Sequence, residues 1–244
     1  MPPMKIFDRS FDTPEQNLAC DEALLERCEE ANTGEILRFW EPRDYFIVLG
    51  FSNAWKDEVQ KNPRSLPVLR RVSGGGTVIQ GPGCLNYSLL LKIDSDASRT
   101  ALKGIVSANQ YIMERNRQAV ESVIQKSVQI QGSTDLTVNN LKFSGNSQRR
   151  KKNYLLFHGT FLLNFKIQKI ESFLKMPAKR PVYRENRTHL SFLANLNVPR
   201  EKIKQAMIQV WGAGQPLKAK EAPLAEIKKL AKEKYSNEEW NFKY

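Results

Sequence analysis

Apolar residues in this chain gather in short runs that are separated by turn-forming residues. Short runs rich in Val, Ile, Leu, Phe and Tyr are typical of buried strands. They predict strands over residues 36–40, 45–50, 67–71, 85–91, 128–130, 135–138, 141–144 and 154–163. Asn139-Asn140 lies between two of these segments and favours a hairpin turn, because asparagine tolerates a positive φ angle.

Elsewhere apolar positions recur every three or four residues, which is the spacing of an amphipathic helix. This spacing predicts helices over residues 14–30, 99–126, 167–175, 186–195, 199–211 and 221–234. The first helix has a good entry at Asp12-Thr13-Pro14, a capping residue followed by proline in the first turn. In the 99–126 helix we expect an apolar, buried side that includes Leu102, Ile105, Val106, Tyr111, Ile112, Val120 and Val123.

The order of these elements predicts an α/β class protein, with α+β mixed sheets flanked by helices. Strands with interspersed helices and hairpin-like pairing favour it over a doubly wound Rossmann sheet. At 244 residues the chain fits one domain, 1–244, whose last part from about residue 200 is a helical portion of the same domain.

Composition indicates a globular protein of a reducing compartment. Apolar residues make up 41% of the chain, and no run approaches the roughly 20 apolar residues of a membrane span. The first residues lack the apolar stretch of a signal peptide. The three cysteines have no spacing typical of metal ligands. We therefore expect a cytoplasmic protein without a membrane partner.

The net charge of +12 suggests an anionic partner. Apart from residues 149–152 and the C-terminal third, however, the basic residues are scattered, and no zinc-finger or RNA-recognition pattern occurs. The same positive field attracts acidic proteins and phosphate-bearing ligands. We favour these partners over nucleic acid.

Residues 70–83, called the glycine loop below, hold five of the 13 glycines of the chain. Each glycine costs about 0.5–1 kcal/mol of backbone entropy relative to alanine, so such a run needs a reason. Arg70 and Arg71 stand beside it, which makes an anionic ligand the obvious candidate. Strand alternation directs Arg70 away from this ligand. The alternative is a glycine-rich hairpin turn.

A second segment starts at Lys142 and continues with small, hydrogen-bonding residues to Arg150. If Leu141 and Phe143 face the core, Lys142 projects into the opposite cleft, where it can neutralise a phosphate or carboxylate. The alternative is a solvated surface lysine. Asp135, seven residues earlier, is a candidate ligand for Mg²⁺ beside a nucleotide.

The two histidines lie in different surroundings. His158 stands inside an apolar strand, where a partly buried, satisfied histidine is the first interpretation. His189 follows a polar segment, which favours a capped surface helix slightly over a ligand-facing loop. No acid–base pair, catalytic triad or metal cluster is evident from residue types and spacing.

These segments, in this order, resemble the lipoate–protein ligase family of the biotin/lipoate ligase and octanoyltransferase superfamily. The family pattern R-x-S-G-G-G-[AT]-V-x-[HQ] is similar to residues 71–80, and K-[IVF]-S-G-x-[AS]-Q-x-R to residues 142–150. The pattern H-G-[TS]-[LF]-L is similar to the strand that contains His158. Residues 17–25, 39–53 and 184–187 resemble the family's first helix, its early hairpin and its R-x-N-R segment.

The resemblance implies a biotin/lipoate protein ligase-like catalytic domain, with a glycine loop that covers lipoate and its activated adenylate. Lys142 would contact the carboxylate and α-phosphate oxygens, and Asp135 would lie near the nucleotide or its Mg²⁺. The remaining adenylate-binding residues that the resemblance implies are Arg71, Ser73, Gly75, Gly76, Thr77, Val78, Gln80, Asn86, Gly145, Asn146, Ser147, His158 and Gly159. The acyl chain would lie among Phe39, Val48, Leu49, Val78 and Tyr87.

The activity implied is an ATP-dependent ligation that forms lipoyl-AMP and passes the lipoyl group to a lysine of an acidic carrier domain. The carrier would be of the 2-oxoacid dehydrogenase E2 or glycine cleavage H protein type. Two features depart from the family. Gln80 stands where many ligases have histidine, and Tyr244 falls about where the catalytic domain would end, before a further accessory domain. Three explanations of the second feature are open. A separate protein supplies the accessory domain, the accessory domain is dispensable, or the enzyme accepts a preformed acyl group.

The main rival is an octanoyl or lipoyl transferase that works through a cysteine thioester. Cys20, Cys28 and Cys84 do not match the transferase nucleophile position, and no cysteine follows Cys84. Their absence from that position favours the ligase. A non-catalytic binder of lipoate or lipoyl domains is the alternative of another class. The presence of both Lys142 and the glycine loop favours an enzyme.

Overall fold

A computed structural model describes residues 3–60, 65–93 and 97–244, and these residues form two sheets. The larger sheet has eight strands in the order β11-β1-β2-β6-β10-β9-β8-β7, and the smaller has three in the order β4-β3-β5. The strands are β1 Met4–Asp8, β2 Ile36–Trp40, β3 Phe46–Leu49, β4 Val68–Arg70, β5 Val78–Gln80, β6 Cys84–Lys92, β7 Gln129–Gln131, β8 Asp135–Val138, β9 Leu141–Arg150, β10 Tyr154–Leu162 and β11 Ala213–Pro216.

Helices flank the larger sheet on both faces. They are α1 Pro14–Ala31, α2 Trp55–Glu58, α3 Ile105–Ile124, α4 Gln168–Phe173, α5 His189–Phe192, α6 Arg200–Trp211, α7 Leu224–Leu230 and α8 Glu238–Asn241. Apolar residues of α3 and α6 pack with Leu89 of β6 in one core cluster. Residues of α1 and α7 pack with Leu90 in a second cluster on the opposite face. This arrangement confirms the predicted mixed sheets flanked by helices.

Antiparallel hairpins build one half of the larger sheet. Strands β7, β8, β9 and β10 follow one another along the chain and pair as neighbours. Asn139 and Asn140 have φ angles of 50° and 60°, which confirms the predicted turn between β8 and β9. Strand β10 then pairs with β6 over nine residue pairs. The sheet therefore holds β9 and β10 side by side, with both carrying residues of the predicted site.

The predicted early hairpin over residues 39–53 is wrong. Strand β2 pairs with β1 and β6 in the larger sheet, whereas β3 pairs with β4 and β5 in the smaller one. All five residues of β2 are buried, because helices cover both faces of the larger sheet at that strand. The turn at residues 41–45 thus connects two sheets instead of reversing the chain within one.

Several other boundaries differ from the sequence prediction. The predicted 99–126 helix is divided at Gly104, which is extended (φ −95°, ψ 153°) and caps α3 after a 3-10 turn. Ile105 and Val106 consequently lie 60% and 69% exposed at the start of α3, not on its buried side. The predicted 186–195 helix is only the short α5. The predicted 221–234 helix is α7 followed by a π turn over Ala231–Tyr235.

Three strands were not predicted, and one is longer than predicted. Strand β5 pairs with β3 in the smaller sheet. Strands β1 and β11 pair in parallel at the edge of the larger sheet, and β2 pairs with β1. Strand β9 continues past residue 144 to Arg150, so that Gly145, Asn146 and Ser147 are strand residues beside β10. None of the helices in the described ranges is long and apolar enough to cross a membrane.

Candidate active site

A cavity of about 390 Å³ lies where the glycine loop meets β6, β9 and β10 of the larger sheet. The structure brings nearly all the predicted site residues to its wall. These are Arg71, Gly75, Gly76, Thr77, Val78, Gln80, Asn86, Asp135, Lys142, Gly145, Asn146, Ser147, His158 and Gly159. Ser73 is the exception: it is 1% exposed and lies just behind the wall.

Apolar side chains line one part of this cavity. Of the predicted acyl-chain residues, Val48, Val78 and Tyr87 line it. Phe39 and Leu49 do not, because they face the packed cores of the two sheets. Trp40 from the neighbouring position of β2 and Leu18 of α1 line the cavity instead. Alternation along β2 decides this, since successive side chains of a strand point to opposite faces.

Arg71 shapes the glycine loop from within. Its Nη2 donates to the carbonyl oxygens of Gly74 and Gly76 at 2.6 and 2.9 Å, and its Nε donates to Ser73 Oγ at 3.0 Å. Burial lowers the pKa of Arg71 to about 10, so the guanidinium is charged at neutral pH. The loop is therefore folded around a cation that faces the cavity.

Arg70 points away from the cavity, as strand alternation predicts. Its guanidinium donates to the carbonyl oxygens of Gly50, Asn53 and Asn241 at 2.9, 2.7 and 2.9 Å. It thereby fastens α8 to the loop after β3. A Cβ atom on Gly50 would lie 2.0 Å from the carbonyl oxygen of Gly75, so this position requires glycine for the glycine loop to approach.

Lys142 pairs with Asp135 across β8 and β9. Its Nζ lies 2.8 Å from Asp135 Oδ1, and the hydroxyl of Tyr183 donates to Asp135 Oδ2 at 2.7 Å. The lysine side chain is 25% exposed and lines the cavity. Burial and the Asp135 carboxylate raise the pKa of Tyr183 above its usual range, which keeps the phenol protonated as a donor. Asp135 is thus an oriented carboxylate on the cavity wall.

His158 belongs to a hydrogen-bonded series that the sequence did not reveal. Its Nδ1 lies 2.9 Å from Asp21 Oδ2, and its Nε2 lies 2.6 Å from Ser73 Oγ. Ser73 Oγ lies 2.9 Å from Ser147 Oγ, which faces the cavity. We call Ser147, Ser73, His158 and Asp21 the serine–histidine chain.

Asp21 is ionised although it is buried. Burial alone would raise its pKa, but Arg38, His158 and Ser88 outweigh burial and lower it. Arg38 Nη1 donates to Asp21 Oδ1 at 2.5 Å, and Ser88 Oγ donates to the same oxygen at 2.7 Å. On α1, Asp21 had the pattern of an ordinary polar helix residue. Only the packing of α1 against β2, β6 and β10 places it at the cavity wall, where it is 3% exposed.

Gln80, Asn86 and Thr160 close a triangle of side-chain hydrogen bonds. Gln80 Nε2 donates to Thr160 Oγ1 at 2.8 Å, Thr160 donates to Asn86 Oδ1 at 2.5 Å, and Asn86 Nδ2 donates to Gln80 Oε1 at 2.9 Å. Each side chain both gives and accepts, so the three hold one another in place. Both the nitrogen and the oxygen of the Gln80 carboxamide thus make hydrogen bonds within the cavity wall.

Asn146 is held by a second buried series that reaches α6. Trp211 Nε1 donates to Asn116 Oδ1 at 2.9 Å, Asn116 Nδ2 donates to the hydroxyl of Tyr87 at 2.6 Å, and Tyr87 donates to Asn146 Oδ1 at 2.6 Å. Asn146 Nδ2 also donates to the carbonyl oxygen of Thr134 at 2.7 Å. Its carboxamide oxygen and its amide nitrogen are therefore each held by a hydrogen bond.

The segment before α5 and the first residue of α5 add basic residues to the cavity wall. Lys175, Lys179, Arg184 and His189 line the cavity. Arg184 Nη2 lies 3.2 Å from His189 Nδ1. Burial, followed by the charge of Arg184, lowers the pKa of His189, so its ring is neutral near pH 7. In the sequence Lys175 and Lys179 were indistinguishable from solvated surface residues, whereas Arg184 belongs to the segment 184–187 of the family resemblance. His189 starts a capped helix, as the sequence favoured, but it is buried and lines the cavity instead of lying on the surface.

None of the three cysteines lines the cavity, and all three are buried. Burial raises the pKa of Cys20 to about 12 and that of Cys28 to about 11, and it raises the pKa of Cys84 still further. Within the described ranges no three His, Cys, Asp or Glu residues are grouped to hold a metal ion. Among the described residues, Asp21, Glu58 and Asp135 are the carboxylates that line the cavity.

The cavity thus combines an apolar part with several cationic groups. Comparison with known proteins identifies the family to which this chain belongs. The family model of the lipoyl protein ligase A/B catalytic domain matches residues 13–212. The chain therefore belongs to the lipoyl protein ligase A/B catalytic-domain family.

Its relatives include both ligases and transferases. Lipoate–protein ligase 1 of Staphylococcus aureus is 25% identical over 249 residues, covering 97% of this chain and 72% of its own length. A probable lipoate–protein ligase A of Mycoplasma genitalium is 28% identical, covering 94% and 69%. Octanoyltransferase LipM of Geobacillus kaustophilus is 24% identical, covering 98% of both chains.

Solved structures share the fold. A bipartite lipoate protein ligase of Thermoplasma acidophilum, described with its E2 lipoyl domain, superposes with a TM-score of 0.82 at 21% identity, covering 98% of this chain and 96% of that one. A lipoate–protein ligase A bound with ATP superposes with a TM-score of 0.80 at 21% identity, covering 98% of both chains. These likenesses confirm the predicted biotin/lipoate ligase fold.

Proposed function

We propose that this protein is an ATP-dependent lipoate–protein ligase. It activates lipoate to lipoyl-AMP and transfers the lipoyl group to a specific lysine of a carrier domain. One observation carries the proposal: cationic Lys142 and Arg71 lie on the wall of a partly apolar cavity that no cysteine reaches. The ATP-bound ligase of the same fold supports an adenylate in such a cavity.

The cavity suits the first step. Attack of a carboxylate on the α-phosphate of ATP brings two anions together, and fixed positive groups offset their repulsion. Lys142 contacts the reacting oxygens, and Arg71 holds the glycine loop over them. The apolar wall formed by Val48, Val78 and Tyr87 takes the acyl chain, at about 0.8 kcal/mol for each buried methylene.

Asp135 fits a Mg²⁺ ion that arrives with the nucleotide. This ion commonly takes one or two protein carboxylates together with substrate phosphates, and the Asp135 carboxylate stands on the cavity wall. When bound, Mg²⁺ would neutralise phosphate charge. Asp135 would hold the ion, and Tyr183 orients the carboxylate by its hydrogen bond.

The second step needs no nucleophile from this protein, because the attacking amine belongs to the carrier lysine. Enclosure of the adenylate by the glycine loop excludes water and limits hydrolysis. The net charge of +12 favours an acidic carrier. We propose a lipoyl domain of the 2-oxoacid dehydrogenase E2 or glycine cleavage H protein type, and a cytoplasmic location. A separate accessory protein is proposed to assist adenylation.

The alternative to the ligase is an octanoyl or lipoyl transferase, because the relatives include octanoyltransferases. Its covalent step needs an accessible thiolate. Cys20, Cys28 and Cys84 are each 0% exposed with raised pKa values, which supports the ligase. A non-catalytic lipoyl binder would have no use for Lys142 on the cavity wall.

Intact-mass analysis of an apo carrier domain tests the proposal. The carrier is incubated with the protein in three mixtures: ATP, Mg²⁺ and lipoate; preformed lipoyl-AMP; and an octanoyl-carrier thioester without ATP. We expect a lipoyl mass gain in the first two mixtures, with the accessory protein added if ATP alone does not suffice. A gain in the thioester mixture alone would establish the transferase instead.

A further inference from the structure

The serine–histidine chain connects the cavity with a buried ion pair. Ser147 on β9 faces the cavity, Ser73 begins the bend of the glycine loop, and His158 on β10 lies against Asp21 of α1. The His158 side chain is 13% exposed, and Asp21 is 5% exposed. Three hydrogen bonds of 2.9, 2.6 and 2.9 Å join Ser147 to the Asp21 carboxylate without interruption, and His158 and Asp21 also line the cavity.

Hydrogen-bond counting fixes the direction of this chain. Asp21 is a carboxylate with a lowered pKa, so Nδ1 of neutral His158 carries the hydrogen and Nε2 is an acceptor. Ser73 must then donate to His158. Arg71 Nε can only donate, so Ser73 Oγ accepts a hydrogen bond from it with one lone pair. The second lone pair of Ser73 Oγ accepts a hydrogen bond from the hydroxyl of Ser147. Ser147 therefore turns a lone pair towards the cavity.

This arrangement can remove a proton from a donor in the cavity. We propose, on the basis of the proposed ligase function, that the serine–histidine chain accepts a proton from the ammonium group of the carrier lysine during lipoyl transfer. Ser147 takes the proton, Ser147 gives its own hydrogen to Ser73, and Ser73 gives its hydrogen to His158 Nε2. His158 becomes an imidazolium beside the Asp21 carboxylate.

The transfer step balances in atoms and electrons. The lone pair that remains on the lysine nitrogen forms a bond to the acyl carbon, and the bond from that carbon to the phosphate oxygen breaks. AMP leaves with the electron pair, and a second proton from the nitrogen goes to its phosphate. The third hydrogen stays on the amide. His158 returns its proton to solvent when AMP and product leave.

Charged groups meet the serine–histidine chain from three elements. Asp21 of α1 contacts His158 directly. Arg38 of β2 contacts Asp21 on the far side, and Arg71 of the glycine loop contacts Ser73. Both arginines disfavour a further positive charge, and each is separated from the ring by one intervening side chain. Among these three charged groups, only Asp21 contacts the ring directly.

A pH profile of the transfer step tests this inference. Preformed lipoyl-AMP at saturating concentration is mixed with the protein and an apo carrier, and the transfer rate is measured from pH 6 to 10. Ser147→Ala removes the first residue of the chain, and His158→Gln removes the residue that is proposed to hold the proton. We expect each to slow transfer by about a hundredfold near pH 7, the size of a general-base contribution. The rate recovers towards pH 10, because solvent then deprotonates lysine, whose pKa is about 10.4.

Ser122→Ala is the matched control. Its hydroxyl makes a single hydrogen bond of 2.8 Å to the carbonyl oxygen of Ala119 within α3, and its removal should leave the profile unchanged. A loss in Ser147→Ala that high pH does not rescue would mean a purely structural role and overturn the inference. An unimpaired Ser147→Ala would overturn it as well. If the unmodified protein itself fails to transfer from lipoyl-AMP, the proposed function fails instead.

Discussion

A side chain at position 159 would collide with Asn146. A Cβ atom built on Gly159 lies 1.5 Å from Asn146 Oδ1, far inside contact distance. Asn146 cannot move aside, because Tyr87 and the carbonyl oxygen of Thr134 fix its carboxamide. The two consecutive residues of β10 therefore have different roles. His158 places its ring between Asp21 and Ser73, and Gly159 leaves space for the Asn146 side chain.

Gly159→Ala is therefore expected to destabilise the protein. Overpacking of this kind costs about 1–3 kcal/mol, and the shift of Asn146 would also reduce activity. Urea denaturation gives the free energy of unfolding. Gly214→Ala is the control, because a Cβ atom there has no neighbour within 4 Å. Equal stability of the two variants would contradict the assigned role of Gly159.

Gly145→Ala should separate activity from stability. A Cβ atom at Gly145 would lie 2.9 Å from Lys142 Nζ and 3.0 Å from its Cε. The end of a lysine side chain moves easily, so the fold should tolerate the change within about 1 kcal/mol. The displaced ammonium group should slow adenylate formation by at least about tenfold, because catalytic charge depends on position. A fully active variant would show that the position of Lys142 is unimportant.

Acid should destabilise the fold through Asp21. The pKa of this carboxyl is lowered by Arg38, His158 and Ser88 in spite of its burial. A depressed pKa contributes stability that is present above the unfolded value, about 3.9, and lost as the pH falls through the folded value. We expect the free energy of unfolding to decline below about pH 4, and this decline to be smaller in Asp21→Asn.

At neutral pH Asp21→Asn should itself be less stable, by about 3–5 kcal/mol, because it leaves buried Arg38 without its carboxylate. Asp8→Asn is the comparison, since Asp8 pairs with Lys204 at the surface. It should retain the acid dependence of the unmodified protein. The account of the ion pair is wrong if both variants show the same slope with pH.

The cysteines should be inert in the folded protein. Burial raises the pKa of Cys20 to about 12, that of Cys28 to about 11, and that of Cys84 further. Iodoacetamide at pH 8 should leave the native mass unchanged and add three adducts after denaturation. Cys84→Ser should keep its activity. Rapid alkylation of native protein, with loss of activity, would reopen the thioester mechanism.

The sequence predicted the site more completely than it predicted the boundaries of the fold. Buried strands such as β6 and β10 carry their own apolar signal, and the motifs around Arg71 and Lys142 lie on or beside such strands. Strand β11 contains glycine and proline and forms only because β1 offers an edge, so its sequence carries no strand signal. Pairing partners of this kind depend on tertiary contacts.

Asp21 shows why part of the candidate site could not be predicted from the sequence. It lies 137 positions before His158, and its partner Arg38 lies on another strand. The sequence pattern of a polar residue on an amphipathic helix does not indicate that this residue will lie at the wall of a cavity. The same limit applies to Lys175 and Lys179, whose approach to the cavity depends on the path of the chain before α5.

Detection of lipoyl-AMP tests the central claim most directly. The protein is incubated with ATP, Mg²⁺ and lipoate without a carrier, with and without the proposed accessory protein, and the products are separated by liquid chromatography and mass spectrometry. We expect lipoyl-AMP from the unmodified protein and none from a folded Lys142→Ala variant, which lacks the cation at the reacting oxygens. Absence of lipoyl-AMP under both conditions, with carrier acylation from an octanoyl thioester, would contradict the ligase function.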